Sequence, residues 1–271
     1  LSTFRWSIIL KKDINIPYLR LLSIYFVGMF FNNFLPTMVG GDLVKGYYLY
    51  KQTKKGDVAL ASIFMDRYSG FAALMVITAI ALIPGYALIK GTGLPAFFVL
   101  LIGGFLAISL VIWVGFLHRW AMEIMAKIHF YGINKKIDTF YKALMSYKAH
   151  YGILVKIFIC SLFVQVGVIV GYYVLGRGIG VTVPIAYYFL FIPLVNAVAM
   201  LPVSLSGLGL REGAFVFLFT RVGANQEQAL TISLMWFVIA ALVSVIGGIE
   251  YVRMGGKKEI AVEGDMEGRG L

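Results

Sequence analysis

Along this chain, apolar residues come in runs too long and too continuous for a water-soluble fold. Val58 to Ile83, Pro95 to Leu117, Ile153 to Leu175 and Gln228 to Val252 each supply about the 20 apolar residues that cross a bilayer's hydrocarbon core. None of them alternates with the period of two that marks a membrane β-strand. A lipid surround leaves only helices or closed barrels able to satisfy their own backbone hydrogen bonds. The pattern therefore predicts an all-α, polytopic transmembrane helical bundle.

Two further apolar stretches are interrupted. Leu21 to Val39 contains Asn32-Asn33 and Pro36 and runs into Gly40-Gly41, and Val183 to Arg221 contains Pro202 and a segment from Ser204 to Gly209. Proline removes a backbone donor and clashes with the preceding turn, so each stretch is expected to break. The breaks read alike: Leu35-Pro36 leads through small or apolar residues to Gly40-Gly41-Asp42, and Leu201-Pro202 leads to Gly207-Leu208-Gly209-Leu210-Arg211-Glu212.

Charge orients these segments. Residues 118–152 carry Arg119, Lys127, Lys135, Lys136, Lys142 and Lys148 against Glu123 and Asp138, which marks them as cytoplasmic by the positive-inside rule. The neighbouring spans then alternate, with Arg5, Lys11, Lys12, Arg20, Lys45, Lys51, Lys54 and Lys55 also inside and Arg253, Lys257 and Lys258 ending the last span inside. Leu21 to Val39 must enter and leave by the cytoplasmic face, and Val183 to Arg221 by the opposite one. Two opposed re-entrant segments at corresponding positions are the signature of an inverted repeat. Their turns are assigned to Pro36, Gly40, Gly41, Pro202, Gly207 and Gly209. Within the cytoplasmic segment, Ile137, Phe140, Tyr141, Leu144 and Met145 share one helical face. That face either lies on the leaflet or packs within an extramembrane hairpin.

Composition agrees with the pattern: 60% of residues are hydrophobic and 14% charged, and mean hydropathy is +0.86. Soluble domains are about 45–50% apolar with about 25% charged residues. The net charge of +11 is spread between the apolar runs and forms no basic domain, so no nucleic-acid partner is expected. His118, His129 and His150 match no metal-ligand spacing, and Cys160 stands alone, as an inert packing residue. No phosphate-binding glycine loop occurs, and Ser204 and Ser206 have no histidine nearby to activate them. The expectation is a protein that is not an enzyme and needs no metal or cofactor.

The chemistry that remains is ionic. Asp42 and Lys45 follow the first break, Asp66-Arg67 sit inside the span Val58 to Ile83, and Arg211-Glu212 follow the second break. A charge at mid-bilayer costs about 2.5–3.5 kcal/mol on insertion scales, so these residues must face a cavity or one another. Asp42 or Glu212 is the expected partner of Arg67, and Lys45 or Arg211 that of Asp66. Two readings stand: a network that only fixes helix packing, or the lining of a pocket for a lipid headgroup, with a phosphate on Arg67 or Arg211. Helices starting just after the glycine turns would add free N–H groups for an anion.

The segment from Phe31 to Lys45, followed by Ala59 to Arg67, and the second block from Leu201 to Gly213, resemble the two recurring motifs of the lysylphosphatidylglycerol synthase transmembrane-region, or flippase-like, family. The resemblance runs from about Arg5 to Val252 and implies a single membrane domain over 1–252, with a polar tail over 253–271. It implies translocation of aminoacylated phospholipids or polyprenyl-linked glycolipids between leaflets of a prokaryotic cytoplasmic membrane. The partners it implies are lipids with anionic or amino headgroups. By the same resemblance, Asp42, Lys45, Asp66, Arg67, Arg211 and Glu212 are the preferred binding positions, with Lys45 standing where the family often has arginine. Members usually carry helices before the Arg5-Trp6 position, which agrees with Leu1 to Leu10 reading as the tail of an earlier helix. The cytosolic synthase domain of some members has no counterpart in these residues. The alternative is a non-catalytic accessory subunit for a membrane glycosyltransferase or lipid-modifying enzyme.

Overall fold

The computed structural model describes residues 1–34, 40–91, 93–114, 133–199 and 208–255. Among them are ten α-helices: α1 (Ser2–Leu10), α2 (Tyr18–Phe34), α3 (Gly40–Thr53), α4 (Gly56–Ile89), α5 (Leu94–Trp113), α6 (Ile133–Met145), α7 (Tyr151–Gly178), α8 (Ile185–Ala199), α9 (Leu210–Phe219) and α10 (Gln226–Arg253). Helices α4, α5, α7 and α10 are long and apolar enough to cross a membrane, and they coincide with the four uninterrupted apolar runs. The turn prolines Pro36 and Pro202, with Gly207, lie outside the described residues.

Local chemistry sets the helix ends. Pro95 occupies the first turn of α5, where its missing N–H has no intrahelical acceptor to lose. Asn225 begins α10 by accepting from the Gln228 N–H at 2.7 Å, while Gln228 Oε1 accepts from the Asn225 N–H at 3.1 Å. Gly209, at φ 83°, precedes α9; a side chain there would be strained. Gly40 and Gly41, assigned to the first turn from the sequence, both lie inside α3. At Gly41 the glycine is required by proximity: a Cβ there would fall on the Gly28 carbonyl oxygen.

The shorter helices form two pairs. Asn32 of α2 accepts from the Gly41 N–H at 2.9 Å, whereas Gly28, one turn earlier, abuts the Lys45 side chain, one turn later. Helices α2 and α3 are therefore antiparallel. In the second pair, Phe219 at the end of α9 meets Tyr188 and Phe191 near the start of α8, so these two also run in opposite directions. With 17, 14, 15 and 10 residues, each of the four is about 15–26 Å long, short of the ~30 Å hydrocarbon core.

Two apolar cores occupy opposite ends of the bundle. The first gathers Trp6, Ile9, Leu21, Ile24, Tyr48 and Leu49 with residues 59–65 of α4 and Ile157 of α7. The second gathers Tyr188, Phe191, Phe215 and Phe219 with Ile77 of α4 and Ile169 and Tyr172 of α7. Helices α4 and α7 pass from the first core to the second and are parallel. Helix α10 runs the other way, from Ala229 and Ile232 in the second core to Tyr251 against the first. The α2/α3 pair packs into the first core and the α8/α9 pair into the second.

Helices α2 and α3 precede α4 as α8 and α9 precede α10, and the first helix of each pair packs on the long helix that follows the other pair: α2 on α10, and α8 on α4. Small residues permit the closest of these approaches, since a Cβ at Gly247 of α10 would fall on the Phe26 carbonyl of α2. Helix α6 uses its apolar face on α4: Phe140 meets Phe64 edge-on at 5.6 Å, and Leu144 is buried. Part of that face is therefore covered by α4 and not by a partner helix of its own segment. Just beyond α6, Tyr147 is buried, donates to the Ile9 carbonyl at 3.4 Å, and has its phenol pKa pushed up by that burial.

Candidate functional site

Between the two apolar cores lies a polar layer. Ser161 and Gln165 of α7 face Ser69 and Gly70 of α4, with Ser161 Oγ donating to Ser69 Oγ at 3.2 Å and Gln165 Nε2 to the Gly70 carbonyl at 3.0 Å. Asp66, one turn earlier on α4, is buried and takes its closest cation from α1: Arg5 Nε donates to Asp66 Oδ1 at 2.8 Å. Arg5 Nη1 also donates to Ser161 Oγ at 2.9 Å. The network continues to Lys45, whose Nζ is 3.9 Å from Asp66 Oδ2 and 2.8 Å from Asp42 Oδ1. Asp42 then accepts from Arg67 Nε. Lys45 further lies 4.8 Å from the Tyr25 ring centroid and 5.4 Å from that of Trp6, close enough for cation–π attraction.

The second break supplies a smaller cluster. Arg211 and Glu212, adjacent in sequence, pair through Arg211 Nε and Nη2 with Glu212 Oε1. Glu212 also accepts from Ser233 Oγ at 3.3 Å and from the Gly209 N–H at 2.6 Å. A protein carboxylate thus already holds the start of α9, as the Asn32 amide holds the start of α3. The expectation that these helix ends offer free N–H groups to an anion is corrected at Gly209 and Gly41.

These clusters meet at one cavity of about 370 Å³, lined by Arg5, Asp66, Arg67 and Arg211 together with Tyr25, Gln165, Tyr172, Asn196 and Trp236. A second cavity of about 200 Å³ adjoins the first through the shared residues Arg5, Tyr25, Asp66 and Arg67, and adds Asn32 and Lys45. Counting both clusters, four cations (Arg5, Lys45, Arg67, Arg211) oppose three carboxylates (Asp42, Asp66, Glu212), leaving one positive charge. Arg67 is the most open of them, with 41% of its side chain exposed. Among the described residues no group of His, Cys, Asp or Glu could hold a metal ion.

The family model for the lysylphosphatidylglycerol synthase transmembrane region matches residues 1–248. The chain belongs to this family. It is also 24% identical to a UPF0104 membrane protein of Methanothermobacter thermautotrophicus, in an alignment covering 93% of this chain and 79% of that protein. No solved structure matches. The chain is accordingly a multi-pass membrane protein of this family, and its two motifs can be located in the fold.

The first family motif places Asp42, Lys45, Asp66 and Arg67 in one network, in which Arg67 pairs with Asp42 and Lys45 approaches Asp66, as the sequence led one to expect. The second places Arg211 on the same cavity, whereas Glu212 and Asp42 line neither cavity and instead hold the cations in place. Arg211 does not pair with Asp66, nor Glu212 with Arg67. The main surprise is Arg5. Its charge reads as one more cytoplasmic cation, yet it is buried and is the closest partner of Asp66. The available signal was its position inside α1 beside Trp6, Ile8 and Ile9, where a solvated arginine has no place. Tyr25, Gln165, Asn196 and Trp236 carried no comparable signal, because each resembles an ordinary polar or aromatic position in an apolar run.

Proposed function

We propose that this chain is a lipid translocase of a prokaryotic cytoplasmic membrane, moving an aminoacylated phospholipid or polyprenyl-linked glycolipid between leaflets without catalysing a covalent step. The observation that carries this reading is the cavity between the two short helix pairs, where Arg5, Arg67 and Arg211 converge with Asp66. Guanidinium groups suit a phosphate, which they bind through two parallel hydrogen bonds. The Asp66 carboxylate suits an ammonium, as an aminoacylated headgroup carries. In this reading the α2/α3 and α8/α9 pairs are re-entrant hairpins entering from opposite faces, and the two halves form an inverted repeat with the site at their junction, the arrangement common in secondary transporters.

The test is transbilayer movement of fluorescent phospholipid and polyprenyl glycolipid in proteoliposomes containing the full chain. Arg67→Gln and Arg211→Gln should each slow movement roughly tenfold, the value of one lost charge-assisted hydrogen bond. Absence of movement for every lipid, or rates indifferent to both substitutions, refutes the reading. A second reading draws on α5, which packs chiefly on α4 and exposes Val99, Leu100, Leu106, Ile108 and Leu110. That face would serve an accessory subunit docking on a membrane enzyme, and co-purification of such an enzyme with a chain that moves no lipid alone supports it.

A further inference from the structure

A third cavity, an apolar groove of about 330 Å³, lies further along α4 and α8. It is lined by Ile77, Ile80, Ala81, Pro84 and Gly85 on α4 and by Ala186 and Phe189 on α8. No charged group lines it, and exposed Ile80 and Ala186 leave it open at the bundle surface.

The groove and the charged cavity occupy the same faces of the same two helices. On α4 the charged cavity takes Asp66, Gly70 and Leu74, and the groove takes Ile77, Ala81 and Pro84. These positions recur every three or four residues and so form one stripe. On α8 the groove takes Ala186 and Phe189 and the charged cavity takes Asn196 and Ala199, again at helical spacing. From Asp66 to Pro84 the stripe is about 27 Å long at 1.5 Å per residue. It starts at ionic groups and ends in hydrocarbon, so its polarity profile is that of a phospholipid laid lengthwise.

We infer that the charged cavity of about 370 Å³ and this groove together bind one diacyl phospholipid, its phosphate among Arg5, Arg67 and Arg211 and one acyl chain along the α4/α8 groove beside Pro84, with the other chain left in the bilayer. The inference rests on the headgroup reading of the charged cavity. It differs from a headgroup sliding through a polar slot while both tails stay in lipid, because here the protein reads the tail. The open side at Ile80 and Ala186 gives the chain a lateral entrance.

The experiment uses the full chain in nanodiscs with dioleoyl phosphatidylglycerol carrying a photoactivatable diazirine either in the headgroup or at the end of one acyl chain, followed by mass spectrometry of labelled peptides. The chain-end probe should label 77–85 and 186–189, and the headgroup probe the residues around Phe71 and Tyr172. Bulk lipid also touches exposed side chains, so the deciding readout is coupling. Arg67→Gln with Arg211→Gln should lower the chain-end label at the groove by roughly tenfold to a hundredfold, the value of one to two lost charge-assisted hydrogen bonds, and Ala186→Phe, at an exposed position, should lower it while leaving the headgroup label in place. A groove label indifferent to the arginine substitutions, or a chain-end label confined to α5 and the exposed face of α10, overturns the inference while the headgroup reading stands. Failure of the headgroup probe to reach the cavity overturns both. Labelling of the groove by a polyprenyl phosphate probe and not by the diacyl probe overturns the choice of lipid.

Discussion

Arg5 and Asp66, 61 positions apart, form a buried ion pair in which Nε donates to Oδ1 at 2.8 Å and Nη2 lies 2.8 Å from the same oxygen. The pair joins α1 to α4 in the polar layer between the two cores. Breaking a buried pair by removing one charge leaves the other uncompensated and costs about 3–5 kcal/mol. Asp66→Asn should therefore lower stability by that order, read as a drop in the midpoint of chemical unfolding in detergent. An unchanged midpoint would show that Arg5 has another counter-ion.

Arg67 makes the contrasting case, because 41% of its side chain is exposed while it pairs with Asp42. Asp42 is buried but keeps Lys45 as a counter-ion at 2.8 Å, and an ion pair with a solvent-exposed partner contributes about 1 kcal/mol or less. Arg67→Gln should leave the unfolding midpoint nearly unchanged while slowing lipid movement. Equal losses of stability and movement would assign Arg67 to the packing and not to the ligand.

Gly41 sets the spacing of α2 and α3, since a Cβ at this position would coincide with the Gly28 carbonyl oxygen. Overpacking costs about 1–3 kcal/mol where neighbours can shift, and a backbone carbonyl shifts least readily. Gly41→Leu should abolish the monodisperse peak on size-exclusion chromatography. Gly213→Ala, at a helical position with open space around its Cβ, should keep it.

Asn225 caps α10 far from the charged cavity, accepting from the Gln228 N–H. Asn225→Ala should cost about 1 kcal/mol with no change in lipid movement per folded molecule. A change in movement would tie that end of α10 to the transport cycle.

The proposed re-entrant course of the two helix pairs can be tested by surface labelling. In a Cys160→Ser background, single cysteines replacing Lys11 and Lys54 should react with an impermeant maleimide only from the cytoplasmic side, and those replacing Thr182 and Arg221 only from the opposite side. Reaction of Lys11→Cys and Lys54→Cys from different sides would make α2 or α3 a full crossing.

The four long helices were legible in the sequence because a span's requirement is local: about 20 consecutive apolar residues suffice, whatever the rest of the fold does. The interruptions at Pro36 and Pro202 were legible for the same reason, and the structure has short paired helices on both sides of each. The polar layer was only half legible. Asp42, Asp66, Arg67 and Arg211 stood out because charge inside an apolar run is costly, and two of the expected pairings, Asp42 with Arg67 and Lys45 with Asp66, are present.

Arg5 as the partner of Asp66, the self-contained Arg211–Glu212 pair and the shared stripe on α4 and α8 were decided only by tertiary structure. A hydropathy pattern records what each residue costs in lipid, and that cost is the same for a cation facing water, a carboxylate or a ligand. Which of these it meets depends on helices brought together from distant parts of the chain at contacts as close as Gly28 to Gly41 and Phe26 to Gly247, and on the two apolar cores that hold the polar layer between them.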